Sequence, residues 1–265
     1  MCHTDISAET RQRPEPFLPL EGSPRGGRPA RDKRTFMNAI IRLPRTGAPR
    51  RALPEEHGSW NAVYSRFRRW QTKGSRKAVF LAPASAPDPE AVMIDGTCIH
   101  AHKHSAGARG GQHRQAPGRS RGGFTSRLHA RADAPGNPVS FFPAGGECAD
   151  ISVARQLPEG VRDCTVIADK GHDSEPLVQL PEAGGCTAVI PPRSNRETPR
   201  RHDRHPYKER HLAECFFSKI KEYRKVATRY EKLSQTFLSL RLPGSLNDLD
   251  QMVCKQYPSH DHKIN

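Results

Sequence analysis

Three short, largely apolar runs follow residue 90: Ala91–Ile94, Cys164–Ala168 and Thr187–Ile190. A strand with one wet face alternates polar and apolar residues, so short runs without alternation read as strands buried on both faces. Covering both faces takes helices, which predicts an α/β sheet. The first run ends in Asp95 and the second in Asp169, while Pro191-Pro192 stops the third. Strand ends are where open α/β sheets carry their chemistry. An Asp after a strand is also a common turn former, so either residue alone decides nothing.

A third acid lies in a predicted long helix, from Pro206 to about Leu240 and closed by Pro243-Gly244. At 100° per residue, Tyr207, Arg210, Glu214 and Lys221 fall within roughly 40° of one line. Leu212, Phe216, Ile220, Tyr223, Ala227 and Tyr230 fall on the other side. A carboxylate between two cations thus shares a polar stripe, and an apolar stripe is left for a core. Gathered together, Asp95, Asp169 and Glu214 would hold two divalent ions. Hard oxygen ligands without Cys or His favour Mg²⁺ or Mn²⁺ over zinc. Two such ions suit in-line phosphoryl displacement. On Glu214's face, Arg210 and Lys221 would reach backbone phosphates. Tyr207 would either stack on a base or pack at the helix start.

Charge points to the partner. The chain has 265 residues, with 43 Lys and Arg against 28 Asp and Glu, a formal net charge of +15. Such an excess favours a polyanion, nucleic acid first, and predicts an affinity that falls steeply with salt. A membrane is not expected, because no apolar run approaches ~20 residues. Met1–Glu15 lacks the apolar centre of a secretory signal. The seven cysteines are odd in number, widely spaced and without Cys-x-x-Cys, which fits a reducing cytoplasm.

Residues 1–30, rich in Pro, Gly and Arg, read as an irregular N-terminal segment. Residues 31–80 read as a helical DNA-binding region. Its first helix would start at Asp32 as N-cap, carry Phe36, Ile40 and Leu43, and end at Pro44 and Gly47. Its second would start at Ser59 and carry Val63, Phe67 and Trp70. Arg66, Arg68, Arg69, Lys73, Arg76 and Lys77 make the stretch 60–77 wholly basic in charge. Arg66, Arg68 and Arg69 are therefore candidate DNA contacts, in a helix-turn-helix-like reader. A basic solvated helix is the competing explanation.

Residues 81–90, with three prolines, read as a linker, 91–240 as the catalytic domain and 241–265 as an irregular tail. Within the domain, Gly107–Gly123 is either a phosphate-contacting arm or a disordered insertion. Phe124–His129 and Val139–Phe142 would pair as a hairpin across the turn cluster Asp133–Pro138. A helix is predicted over 150–157.

Cys98, His100, His102 and His104 alternate, as a metal site on one strand face could, but no zinc-ligand spacing matches. Imidazoles and Arg109 beside nucleic acid are the simpler use. Asp173 and Glu175 could replace Asp169 as ligands or serve as helix N-terminal acids. Asp150 and Asp163 read as cap and turn residues. Gly110-Gly111 and Gly122-Gly123 match no nucleotide-binding fingerprint.

Tyr207-x2-Arg210-x3-Glu214-x6-Lys221 resembles the signature around the catalytic Glu of bacterial insertion-sequence transposases. Met93-Ile-Asp95-Gly-Thr, Ala168-Asp169-Lys-Gly, Pro191-Pro-Arg-Ser-Asn-Arg196 and Ala227-Thr-Arg-Tyr230 resemble the insertion-sequence-five group. So do Arg45-Thr-Gly-Ala-Pro49 and the run Trp60–Trp70. The blocks span roughly residues 18–238, in order. The resemblance implies a ribonuclease-H-like mixed sheet flanked by helices, with Asp95, Asp169 and Glu214 as an Asp-Asp-Glu triad on two Mg²⁺ ions. It implies cleavage of double-stranded DNA at the element's ends, then attack of the freed 3′-hydroxyl on target DNA. A homodimer or higher assembly, associated with the bacterial nucleoid, is implied likewise.

The chain departs from that pattern in several places. His172 stands where Tyr is usual, Arg50 where Trp is, and Ala52 where Asp is. The Trp70–Asp95 interval is about ten residues short, and an apolar helix expected after Leu240 is replaced by Pro243-Gly244 and a polar tail. A truncated or frameshifted copy would read this way. An inactive remnant that binds DNA and a DNA nuclease that does not join ends are the alternatives.

Overall fold

The computed structural model describes residues 32–73, 90–109, 115–149, 153, 156–198, 200 and 202–239. The N-terminal segment, nearly all of the linker and the C-terminal tail expected above lie outside these residues. The chain divides into two compact units, Met1–Pro83 with Ser239–Asn265, and Ala84–Leu238.

The first unit contains α1 (Lys33–Thr46) and α2 (Trp60–Thr72). Asp32 caps α1, its carboxylate accepting from Thr35 N at 3.0 Å. Pro44 does not end the helix as expected. It sits in the last turn, and Gly47 stops the helix with a left-handed φ of 76° while donating to Leu43 O. Of the anticipated apolar lines, Phe36 and Ile40 on α1 and Val63, Phe67 and Trp70 on α2 are buried, while Leu43 is half-buried; Ile41, outside the expected line, is buried as well. Phe36 and Trp70 meet edge to face, 4.9 Å between centroids.

The second unit is built on one mixed sheet. Its strands are β1 (Ala91–Ala101), β2 (Gly118–Ser120), β3 (Gly123–Asp133), β4 (Pro138–Gly145), β5 (Thr165–Ala168), β6 (Thr187–Val189) and β7 (Thr228–Arg229). β3 runs antiparallel to β1 and is flanked by β4 and β2; β5 runs parallel to β1, and β6 parallel to β5. The resulting order β4-β3-β1-β5-β6, with only β3 reversed, is the ribonuclease-H-like arrangement. The three apolar runs are indeed its parallel strands, in register Met93↔Ile167↔Val189. Met93, Ile167 and Val189 pack on one face with Ala213, Tyr207 and Leu212. Ile94, Val166 and Ala168 pack on the other with Leu177 and Val178 of α3 (Glu175–Ala183). Coverage of both faces is why these strands need no polar alternation.

The single long helix expected from Pro206 to Leu240 is not formed. The segment divides into α4 (Arg204–Tyr207), a 3-10 turn over Lys208–Arg210, α5 (His211–Lys221), α6 (Arg224–Ala227), β7 and α7 (Ser234–Ser239). Tyr223 turns extended, with ψ of 110°, and lets the chain fold back. Tyr223, Val226 and Phe237 then join Phe216 and Ile220 over Ile99 and Leu128. Each such side chain contributes about 1.5–3 kcal/mol on burial, more than a continuous exposed helix would gain. Ala227 and Tyr230 consequently leave the apolar face assigned to them.

The hairpin forms as expected but longer, with a bulge at Arg131/Ala132. In its turn, Asp133 accepts from Asn137 N at 2.6 Å and Nδ2 at 3.2 Å. Gly136 is at φ 87°, and a Cβ there would lie 3.0 Å from Leu212 Cβ on α5. Gly136→Val is therefore expected to lose about 1–3 kcal/mol of stability in urea titration. An unchanged midpoint would show that α5 moves aside freely. The helix predicted over 150–157 falls mostly outside the described residues; residues 156–160 form turns.

Candidate active site

Asp95 lies within β1, one residue past Ile94, which pairs with Ala168 at the end of β5. The next step of the same parallel register sets Asp169 beside it, and neighbouring strands are about 4.8 Å apart. Asp95 is 8% exposed. Burial pushes its carboxyl above the ordinary carboxylate range, and the Asp169 charge adds to the rise, against a hydrogen bond from Gly96 and the Arg210 charge. Burial pushes Asp169 up as well, but His172 outweighs it by hydrogen bond and charge, aided by Arg210, and holds this carboxyl below its usual range. Two adjacent acids are thus driven apart, the pattern of carboxylates set up for different electrostatic tasks.

The turn after Asp169 explains its environment. Lys170–His172 form a 3-10 turn capped by Asp169, whose Oδ1 meets both His172 N at 3.2 Å and His172 Nδ1 at 2.5 Å. His172 is buried, edge to face with His129 at 5.8 Å. Burial, then the neighbouring His172 and Arg127, lower the His129 pKa to about 3, so His129 is neutral. From the loop after β6, Arg193 donates to Lys170 O at 3.2 Å and Gly171 O at 2.6 Å. Its backbone N–H reaches Asp173 Oδ2 at 2.9 Å. Arg196 pairs with Asp173 and Glu175, and Arg200 with the same two acids. Asp173 and Glu175 are therefore occupied in fastening this loop to the start of α3, and are not free to replace Asp169. Sequence reasoning assigned Arg193 no role; the block Pro191–Arg196 was its only signal.

Glu214 stands in the first turn of α5, its side chain 53% exposed. It does not meet the aspartates directly. The Arg210 guanidinium lies between, 2.5 Å from Glu214 Oε1 and 3.7 Å from Asp95 Oδ2. Spanning one planar guanidinium, those two oxygens are within about 9 Å of each other. Among the described residues no three His, Cys, Asp or Glu side chains stand close enough to hold a metal together. Of the three carboxylates expected to cluster, Asp95 and Asp169 stand together and Glu214 is linked to Asp95 through Arg210. The reason is electrostatic: a resident cation already neutralises the gap. Arg210, a candidate phosphate contact, lies partly exposed with its guanidinium near both carboxylates. The Tyr207 ring packs with the apolar cluster under α5 and lies 5.8 Å from the Arg210 guanidinium. Lys221 is exposed at the end of α5.

In the helical unit, Arg68 and Arg69 are exposed on α2, but Arg66 is 6% exposed. Its guanidinium lies 4.2 Å from the Phe36 ring and 5.6 Å from that of Trp70. It packs inward, contrary to its place among the candidate DNA contacts, because its position aligns with the apolar line and its planar head stacks on rings.

No helix among the described residues is long and apolar enough to cross a membrane. The five cysteines described are free, with Cys164 and Cys186 Sγ atoms 3.6 Å apart.

Comparisons place these features in a family. Residues 7–80 match the family described as "Putative transposase of IS4/5 family", and residues 86–242 match "Transposase DDE domain". A Brucella ovis protein described as "Putative transposase for insertion sequence element IS6501" is 37% identical over 117 residues, 43% of this chain and 90% of its own length. An uncharacterized Sinorhizobium fredii protein is 38% identical over 94 residues, 35% of this chain and 74% of its own. Among solved structures, the piggyBac transposase synaptic complex with hairpin DNA aligns over 93% of this chain and 72% of its own, at 11% identity and TM-score 0.48. A pre-cleavage Mos1 transpososome aligns over 92% and 84%, at 13% identity and TM-score 0.26. The transposase domain match covers more than half of the chain and contains every strand of the sheet, and on that ground the chain belongs to the insertion-sequence transposases of the Asp-Asp-Glu class.

Proposed function

We propose that the chain catalyses metal-dependent cleavage of double-stranded DNA at the ends of its insertion sequence and transfer of the freed strands to target DNA. Asp95, Asp169 and Glu214 are its catalytic and metal-holding residues. The observation that carries this reading is the placement of Asp95 within β1 next to Asp169, which immediately follows the adjoining parallel strand β5, with Glu214 joined to Asp95 through Arg210.

The donor set fits Mg²⁺ or Mn²⁺. Its atoms are hard carboxylate oxygens, Asp95 is desolvated beside a like charge, and both hydrogen bonds to Asp169 fall on Oδ1. Two bound ions would activate the attacking oxygen and stabilise the leaving one. Asp95 is fixed within β1 and Asp169 at the cap of the turn after β5, whereas Glu214 is half exposed on α5 and paired with Arg210. Arg210 guards the gap: it lowers the repulsion among the acids and, once displaced, carries a guanidinium suited to a phosphate. Arg68, Arg69 and Lys221 supply backbone contacts, and paired element ends call for a homodimer or larger assembly.

The test is an incubation with Mg²⁺ and a duplex carrying the element's terminal sequence. Cleavage at the end followed by joining to a second duplex is expected, with both steps lost in Glu214→Gln while gel-shift binding persists. Cutting without joining would identify a nuclease instead, and no cutting by the parent protein would mark an inactive copy. Arg210→Gln should bind Mn²⁺ about tenfold more tightly in the absence of DNA, by calorimetry, since a competing cation worth ~1.4 kcal/mol is removed. Unchanged or weaker Mn²⁺ affinity would mean that Arg210 does not compete for the site.

A further inference from the structure

The far end of β1 carries a cluster of rings that the carboxylate chemistry does not use. We propose that His102, His104 and Tyr230 form a stacking platform for unpaired bases of a DNA strand. The proposal rests on the reading of this chain as acting on DNA.

His102 follows β1, and its ring lies 4.4 Å from that of His104, nearly perpendicular, and 5.0 Å from that of Tyr230, tilted by 31°. Tyr230 is 44% exposed, one of few large apolar side chains left open among the described residues. His104, Lys103 and Arg109 are exposed on the segment that follows β1. A metal does not explain the imidazoles. His102 Nδ1 accepts from His104 N at 3.2 Å, which occupies one ring nitrogen, and no third ligand stands near among the described residues.

The platform is held rigidly from below. His102 N donates to Arg229 O at 2.8 Å, joining the end of β1 to β7. The wholly buried Arg229 guanidinium holds Glu231 O at 2.9 Å and Lys232 O at 3.2 Å, fixing the backbone on Tyr230's far side. It also holds Gln115 O at 2.6 Å; the Gln115 amide in turn donates to Arg109 O at 3.1 Å and accepts from Ser234 N at 2.8 Å. An exposed ring fixed in advance loses little entropy on binding.

Charge selects the occupant. From Gly96 to Ala132 there is no acidic residue. Glu231, next to Tyr230, is mostly buried and paired with Lys225 at 3.8 Å. Phosphates would meet Lys103 and Arg109 while base faces meet the rings, the combination that single-stranded nucleic acid takes. His102 is seven residues past Asp95, about 23 Å in extended chain. A DNA strand of a few unpaired nucleotides spans that distance, so one strand could engage both places.

The full chain would be titrated, in EDTA to prevent cutting, against a single-stranded oligodeoxynucleotide containing 2-aminopurine, whose fluorescence is quenched on stacking. Quenching is expected with the parent protein and with Tyr230→Phe and Tyr230→Trp. It should be lost in Tyr230→Leu and His102→Ala, with affinity weakened roughly tenfold, while affinity for a blunt duplex is little changed. Tyr230→Leu keeps apolar bulk, so a Leu variant that quenches like the Phe variant overturns the platform. Equal losses on single-stranded and duplex DNA overturn it too. A parent protein that cuts DNA in Mg²⁺ but does not quench removes this proposal alone. An Asp95→Asn protein that quenches normally upholds it independently of catalysis.

Discussion

Asp95→Asn should abolish cleavage, by on the order of 10³-fold, while leaving DNA affinity intact and raising the melting temperature. The two effects have one source. Asp95 is buried next to a like charge, and its carboxyl is raised above its ordinary value of 3.8. A carboxyl raised on folding favours the protonated form, so its contribution is fully present below the unfolded-state value and is lost as pH climbs through the folded value. At neutral pH the ionised group burdens the fold, and an isosteric amide removes the burden. The gain should be a few degrees at pH 7 and vanish below about pH 4. Asp169→Asn should behave oppositely in stability. Its carboxyl is lowered, chiefly because His172 overcomes the burial penalty, so its stabilisation is present above pH 3.8 and fades as acid protonates it. Calorimetric scans of both variants across pH check this. A lower melting temperature for Asp95→Asn at pH 7 would show that the burial cost is offset elsewhere.

Arg229→Met should cost the fold about 3–5 kcal/mol. The side chain is 0% exposed and sits 4.4 Å from the Phe237 ring. Burial lowers its pKa to about 10, opposed by Glu231, so it remains a cation at neutral pH. Four of its N–H donors serve Glu231 O, Lys232 O, Gln115 O and the Ser126 hydroxyl, the last at 2.7 Å. Methionine fills the space but leaves those acceptors buried without their partner, each at about 1–3 kcal/mol. Arg229→Lys should fall between, because a single ammonium cannot reproduce the planar fork. Urea unfolding measures the series; a Met variant within about 1 kcal/mol of the parent would mean that water or repacking satisfies those groups.

Strands were more legible than the last helix for a definite reason. Met93-Ile94, Val166-Ile167 and Val189 are short apolar runs, and few environments other than a covered sheet bury both sides of such a run. The segment after Pro206 has helical spacing throughout, and local periodicity carries no mark where the chain turns back. Tyr223 breaks the helix because burying Val226 and Phe237 against Ile99 and Leu128 outweighs continuing it. Arg66 misled for a related reason: composition counts a guanidinium as surface charge, while its ring stacking depends on Phe36, thirty residues earlier in the chain.

The site divides the same way. Residue types and spacing singled out Asp95, Asp169 and Glu214, because acids ending buried strands and an acid flanked by cations on one helix face are patterns of local sequence. Whether they touch was beyond that reach. Parallel register places Asp169 beside Asp95, a matter of pairing between segments 74 positions apart. The insertion of Arg210 between Asp95 and Glu214, the His172 bond that lowers one carboxylate, and the Arg193 fastening of that turn arise only in three dimensions. Charge–charge energies depend on distance and burial, and the order of residues along a chain specifies neither.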